Sequence, residues 1–118
     1  MLTKKVLVGG CFNKIHPGHI YFLKTAKKLG DKLVVVLTND KNNKKPYVLP
    51  AKERKRSLKS LNIADKILIG HFKDKTKIVK KVKPNIIVLG YDQELPEGLE
   101  SLKYVRIKKL SNYSTRLK

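Results

Sequence analysis

Two of the chain's three histidines, His16 and His19, lie three residues apart in the stretch GGCFNKIHPGH, from Gly9 to His19. Gly9 and Gly10 open that stretch, and Pro17-Gly18 separates the imidazoles. Imidazoles donate or accept hydrogen bonds and carry charge near neutral pH. Glycines let a ligand approach the backbone closely. At the start of a helix, Pro17 gives up an amide that no helical bond would use, and Gly18 places no side chain in a ligand's path. Residues three apart share one helix face, so both rings would sit beside outward-pointing first-turn amides. These residue types suit a phosphate, held by donors at several angles. Two duller readings compete, a zinc site built on Cys11, His16 and His19, and ordinary capping and packing histidines. For zinc, no fourth ligand has a familiar spacing.

The elements that must position this stretch follow from apolar periodicity. Lys5–Val8, Leu33–Leu37, Lys66–Ile69 and Asn85–Leu89 are short and rich in Val and Ile, and Tyr104–Ile107 is a weaker fifth run. Such near-continuous apolar runs fit strands buried on both faces of a parallel sheet. Helical spacing at Ile20, Leu23, Ala26 and Leu29 is closed by Gly30. Ala51–Leu61 starts after Pro50 with Glu53 in its first turn, and Thr76–Val82 ends before Pro84. A short helical turn is expected near Gly98–Leu102. Alternation of this kind predicts an α/β fold, a doubly wound five-stranded parallel sheet with right-handed crossovers.

In such sheets ligands bind beyond the carboxyl ends of strands where the strand order reverses, here between the first and fourth strands. Gly9–His19 follows the first strand, and Gly90-Tyr91-Asp92-Gln93 follows the fourth. The coincidence weighs more than either segment alone. The loop Thr38–Pro50 is long, polar and rich in lysine, including Lys44 and Lys45, and loops of that length in compact domains are often functional.

Composition narrows the classes. The chain has 118 residues, enough for one modest core, and a formal charge of +19 from 28 Lys and Arg against 9 Asp and Glu. No apolar run approaches the ~20 residues that span a bilayer, and no signal-like segment opens the chain. A cytoplasmic protein is expected. The single cysteine, Cys11, agrees with a reducing compartment and reads as a small packing residue. The charge favours anionic partners. Nucleic acid is disfavoured, because only Arg54, Arg56, Arg106 and Arg116 supply the planar fork of specific recognition and the lysines are scattered. Runs such as Lys77, Lys80 and Lys81 read as solvated faces.

Gly10-Cys11-Phe12-Asn13 followed by His16-Pro17-Gly18-His19 resembles the signature of the cytidylyltransferase-like nucleotidyltransferases, H-x-G-H after a G-[TC]-F-D turn. The similarity covers nearly the whole chain. KTAKKLGDKLVVV resembles the family's first helix and second strand, and IIVLGYDQ resembles the fourth strand and turn of archaeal FAD synthases. Ser114-Thr115 resembles a late motif that contacts phosphates. The resemblance implies one Rossmann-like nucleotidyltransferase domain over residues 1–118. It implies transfer of a nucleoside monophosphate from ATP or CTP to a phosphorylated acceptor, with release of pyrophosphate. ATP with FMN is favoured over CTP with glycerol 3-phosphate or a similar alcohol phosphate. A basic nucleic-acid-binding protein is the rival of another class.

The roles implied are specific. His16 and His19 would donate to the nucleotide phosphates, Lys44 or Lys45 would close over phosphate, and Arg54 would hold the triphosphate or leaving pyrophosphate. Arg54 could instead pair with an acid on its own helix. Gly9, Gly10, Cys11, Phe12, Asn13, Gly18, Gly90, Tyr91, Asp92, Ser114 and Thr115 would surround the nucleotide. Phe12, Tyr91 or Tyr113 would be the candidates to stack on a flavin. Mg2+ or another divalent cation would arrive with the nucleotide, with no protein metal cage. A homodimer fits the resemblance, although no interface stripe is readable. Two departures stand out. Asn13 replaces the usual Asp, keeping the reach of that side chain and losing its charge. Ser114-Thr115 is also followed by only Arg116, Leu117 and Lys118, where relatives continue into a helix. Arg116 and Lys118, or a partner subunit, would have to complete that wall.

Overall fold

The computed structural model describes residues 4–13, 15–42, 49–71, 76–90, 97–99 and 102–106. Five strands form one sheet: β1 (Lys5–Gly10), β2 (Lys32–Leu37), β3 (Lys66–Ile69), β4 (Ile86–Leu89) and β5 (Tyr104–Arg106). Three helices connect them: α1 (Pro17–Lys27), α2 (Ala51–Ser60) and α3 (Lys77–Val82). All pairings are parallel and the order is β3-β2-β1-β4-β5. The doubly wound arrangement expected from the alternating pattern is present. β1 lies between β2 and β4, with Val6 opposite Ile86 and Leu7 opposite Ile87, so the strand order reverses there.

Alternation along the strands builds two cores. Val6, Val8, Leu33, Val35, Ile67, Ile86 and Val88 face Leu23 and Ala26 of α1 and Leu58 of α2. Leu7, Ile87 and Leu89 face Val79 of α3 and Leu99 on the other side. The central valines Val6, Val8 and Val35 are wholly buried, as strands covered on both faces require.

The structure differs from the sequence reading at element ends. β1 continues through both glycines to Gly10, while α1 begins at Pro17 as expected. Gly30 does not end α1 by a left-handed turn. The helix stops at Lys27, and a Cβ at Gly30 would lie 2.8 Å from the Lys4 carbonyl oxygen and 2.7 Å from Val6 Cγ2. Gly30 is needed for the close approach of that turn to β1. Gly98 has φ of 97°, so no helix runs through it; among the described residues, one turn bond from the Leu102 amide to the Leu99 carbonyl (3.0 Å) stands where the helical turn is expected.

Polar side chains fasten the strand starts. Asn85 Oδ1 accepts from the Lys5 amide at 2.7 Å, and the Asn85 amide donates to the Lys5 carbonyl at 2.9 Å. Asp65 Oδ2 accepts from the Leu33 amide at 2.8 Å and lies 3.3 Å from Lys27 Nζ, which also donates to the Ile63 carbonyl. The Leu33 amide, opposed next by burial and then aided by Lys27 and Lys32, holds the Asp65 carboxyl below the usual carboxylate range. No helix among the described residues is long and apolar enough to cross a membrane.

Candidate active site

The two histidines meet at the mouth of α1, but not as neighbours on its first turn. His16 is the N-cap, with extended backbone (φ −133°, ψ 171°), and His19 is the third helical residue. His16 Nδ1 accepts the Gly18 amide at 3.1 Å, and His19 Nδ1 accepts the His16 amide at 3.2 Å. This is a capping box built from imidazoles in place of the usual hydroxyl and carboxylate. The rings stack with centroids 3.8 Å apart and 22° between planes. An accepting Nδ1 has no proton, so in each neutral ring the hydrogen-bond pattern assigns the proton to Nε2. The cap thereby fixes both side chains as Nε2–H donors.

The same cap occupies the amides that the sequence reading had assigned to a ligand. The Gly18 amide is taken by His16 Nδ1, and the His19 amide donates to the His16 carbonyl at 2.9 Å. The end of α1 retains its positive dipole, while the directed donors are the imidazoles.

Phe12 supports His19 from below. Its ring centroid lies 5.1 Å from that of His19, its side chain belongs to the α1-side core, and it is 5% exposed. A ring so placed has no open face for a flavin; Phe12 is a core residue, the ordinary reading of an aromatic near a site. Phe12 sits at φ of 50°, unusual for a bulky residue. A Cβ at Gly10 would meet Phe12 Cε2 at 2.8 Å. Gly10 therefore makes room for the Phe12 ring. At Gly9 a Cβ would meet only the Val36 carbonyl, at 3.5 Å, an ordinary contact.

Arg54 points inward and is completely buried. Its Nε donates to the Leu49 carbonyl at 2.8 Å, Nη1 to the Cys11 carbonyl at 2.9 Å, and Nη2 to Asp40 Oδ1 at 2.7 Å. The alternative of a partner on its own helix holds for Arg56, which lies 3.4 Å from Glu53, and not for Arg54. One guanidinium thus joins the turn after β1, the single 3-10 turn Asp40–Asn42 after β2, and the approach to α2.

Sequence reasoning singled out Asn13 but gave no role to Asn39 and Asp40. Asp40 Oδ1 also accepts the Ala51 amide at 2.8 Å, Asn39 Nδ2 donates to the Gly70 carbonyl at 3.1 Å, and Asn13 Oδ1 accepts the Leu49 amide at 3.1 Å. Asn13 thus uses the reach that it shares with the usual Asp. Asn39 and Asp40 lie just past the carboxyl end of β2, a position that marks functional residues in parallel sheets. Arg106, on β5, donates to the Gly90 carbonyl at 3.0 Å and ties β5 to the end of β4. Lys44, Lys45, Tyr91, Asp92, Gln93, Tyr113, Ser114, Thr115, Arg116 and Lys118 lie outside the described residues. Among the described residues no three His, Cys, Asp or Glu side chains gather into a metal-holding group.

A parallel sheet with its order reversal at β1, and a histidine-capped helix at that strand's carboxyl end, define a Rossmann-like fold. The chain belongs to the Cytidylyltransferase-like family, whose profile matches residues 7–111. It is 46% identical over 96 residues to a protein of Ferroglobus placidus named FAD synthase, covering 80% of this chain and 63% of that one. A Thermoplasma volcanium protein, also named FAD synthase, is 38% identical over 96% of this chain and 86% of its own length. The chain spans less than two thirds of the length of several such relatives, 62% of a FAD synthase of Methanosarcina acetivorans among them. A solved structure described as the lipopolysaccharide core biosynthesis protein from Thermoplasma volcanium superposes with a TM-score of 0.83 at 38% identity, over 92% of this chain and 99% of that one. A pantoate-beta-alanine ligase from Francisella tularensis, at TM-score 0.63 and 18% identity over 98% of this chain and 66% of that one, shares the fold.

Proposed function

We propose that the chain transfers AMP from ATP to FMN, forming FAD and pyrophosphate. The observation that carries this reading is the His16–His19 capping box, which fixes two Nε2–H donors at the carboxyl end of β1. Relatives from Ferroglobus, Methanosarcina and Thermoplasma, at 38% to 46% identity, bear the name FAD synthase, which favours ATP and FMN over CTP and an alcohol phosphate. A nucleic-acid-binding role accounts for the charge but gives the histidine cap no task.

The chemistry asks little of a base. An oxygen of the FMN phosphate, already anionic, attacks the α-phosphorus in line, and the bond to the β-phosphate oxygen breaks as pyrophosphate leaves. The barrier is lowered by positioning and by neutralising charge that grows on the phosphoryl oxygens. His16 and His19 donate to those oxygens, and the dipole of α1 adds fixed positive potential. Gly18 contributes by the side chain it lacks, since its amide is committed to His16. Arg54, which the resemblance assigns to the triphosphate, is wholly buried with its three nitrogens on protein acceptors, and with Asp40 and Asn13 it holds the bases of the loops around the site instead. Lys44 or Lys45 closes over the phosphates, and Gly90, Tyr91 and Asp92 border the nucleoside. Ser114 and Thr115 complete the phosphate contacts. The donors facing the site are nitrogens, which suit phosphate oxygens and not a hard cation. A divalent ion, magnesium by preference, enters as part of the nucleotide substrate, ligated by phosphate and water.

The test is pyrophosphate release by purified protein with magnesium, crossing ATP and CTP with FMN and glycerol 3-phosphate, with His19→Ala as control. Release with ATP plus FMN, lost in the variant, is expected. Release with CTP and the alcohol phosphate alone would reassign the substrates.

A further inference from the structure

A second basic site lies at the other end of the sheet. Lys5, Lys32 and Lys66 each open their strand, whereas the histidine cap follows the last residue of β1. The length of β1 separates the two ends by roughly 15 Å. Register places Lys5 beside Lys32 and Val34 beside Lys66, with Leu68 one pair further along β3, so all five share one face. That face is the one on which α3 packs through Val79 against Leu7, Ile87 and Leu89. Among the described residues α3 packs over the centre of the sheet, and Lys66 and Leu68 on the flank beside it keep exposed surface. Between that flank and Lys81 and Val82 of α3 is a cleft of about 380 Å3.

Its walls are chemically divided. Val34, Leu68 and Val82 supply apolar surface, and four lysines, Lys5, Lys32, Lys66 and Lys81, surround it. Lys81, which reads in sequence as part of a solvated face, is one of these walls. The one acid lining the cleft among the described residues, Asp65, is engaged by Lys27 and the Leu33 amide and offsets part of the Lys32 charge. Lys5 Nζ donates to the Val82 carbonyl at 3.1 Å, which fixes that ammonium in the wall. Neither the Lys66 nor the Lys81 ammonium has a hydrogen-bond or ion-pair partner among the described residues.

Four ammonium groups around one cleft repel each other, and an anion among them lowers that cost. A second copy docked about a two-fold axis would bring its own lysines against these, so self-association does not suit this surface. The volume lies in the range of small-molecule sites, and the apolar floor rewards a ligand with a carbon skeleton as well as charge. We propose that the cleft between α3 and the β2–β3 face is a second binding site, for a phosphorylated small molecule with an apolar body.

The experiment follows amide nitrogen–proton correlation spectra of the whole chain titrated with phenyl phosphate and, separately, inorganic phosphate. Saturable shifts are expected at Lys32, Val34, Lys66 and Leu68, with phenyl phosphate binding there at least about threefold tighter than phosphate. Lys32→Gln/Lys66→Gln should weaken binding at these amides by about tenfold or more and leave shifts at Gly10 to His19 unaltered. The spectrum itself reports whether this variant folds; Lys81→Gln, on the exposed flank of α3, is the second variant. Shifts confined to Gly9–His19, or equal responses to both probes that the lysine variants do not change, would overturn the proposal. So would a single-stranded oligonucleotide that moves the same amides about a hundredfold more tightly than phenyl phosphate, which would make the cleft part of a nucleic-acid track. Each result stands apart from the transferase assay, because the histidine site is read through its own amides.

Discussion

Arg54 Nη2 lies 2.7 Å from Asp40 Oδ1, and the arginine is completely buried while the aspartate is half exposed. The pair joins the start of α2 to the turn after β2, and the same guanidinium reaches the Cys11 carbonyl beside the histidine cap. Removing the arginine would leave the Leu49 and Cys11 carbonyls and the Asp40 carboxylate short of donors. Arg54→Ala is expected to cost about 3 kcal/mol or more of stability, seen as a fall in Tm of roughly 10 °C or more. Asp40→Asn, which keeps an oxygen for the Ala51 amide, should cost about 1 kcal/mol. If Arg54→Ala melted like the parent but no longer released pyrophosphate, the arginine would be touching phosphate directly.

His16 and His19 perform two tasks that substitution can separate. Asparagine is a strong N-cap and carries no imidazole. His16→Asn should therefore keep the thermal stability of the parent and lower adenylyl transfer. His16→Ala should lose both the cap, worth about 1 kcal/mol, and the rate. His19→Ala is expected to cost about 10²–10³ in kcat, in line with loss of one transition-state donor. A His19→Ala enzyme of nearly parental rate would refute the assignment. Thermal melts alongside steady-state kinetics give all three comparisons.

The fold and the place of the site were legible in sequence because both rest on pattern. Apolar runs near Val6, Val35, Ile67 and Ile87 mark buried strands, and the Pro17-Gly18 step marks the helix start. The direction of hydrogen bonds was not legible. Capping was one of the readings open for these histidines and it holds, but nothing in the order of residues says which ring nitrogen takes the Gly18 amide, or that Arg54 turns inward. Arg54 and Arg56 are alike in type and two apart, and only packing sends one into the interior and leaves the other beside Glu53. Asp40 could have been singled out by its place after β2; its link to Arg54 depends on a tertiary contact across 14 positions.

Asp65 makes stability sensitive to acid. Its folded carboxyl titrates below the ordinary 3.8, first because of the Leu33 amide and then through Lys27. A lowered folded value means that the contribution is complete above the unfolded value and is lost as pH falls through the folded one. Asp65→Asn should thus be less stable than the parent near neutrality, by less than about 1 kcal/mol for so exposed a pair. The two proteins should converge as pH drops below 3.8. Urea melts at pH 7 and in acid would show this; a difference that persists in acid would mean that the effect does not come from ionisation of Asp65.

Gly10 and Phe12 form the remaining pair whose coupling can be measured. The Phe12 ring fills the space that a Gly10 side chain would need, with 2.8 Å between the added Cβ and Cε2. The ring cannot swing away freely, because it is 5% exposed and packed in the α1-side core. Gly10→Ala should therefore destabilise by about 1–3 kcal/mol through overpacking. It should also lower the rate, since the displaced ring lies under His19. Phe12→Leu leaves a smaller side chain and should cost about 1 kcal/mol alone. If the clash is the cause, the double variant Gly10→Ala/Phe12→Leu will be more stable than the sum of the single losses predicts. Simple additivity would instead point to a requirement of the backbone at Gly10, unrelated to the ring.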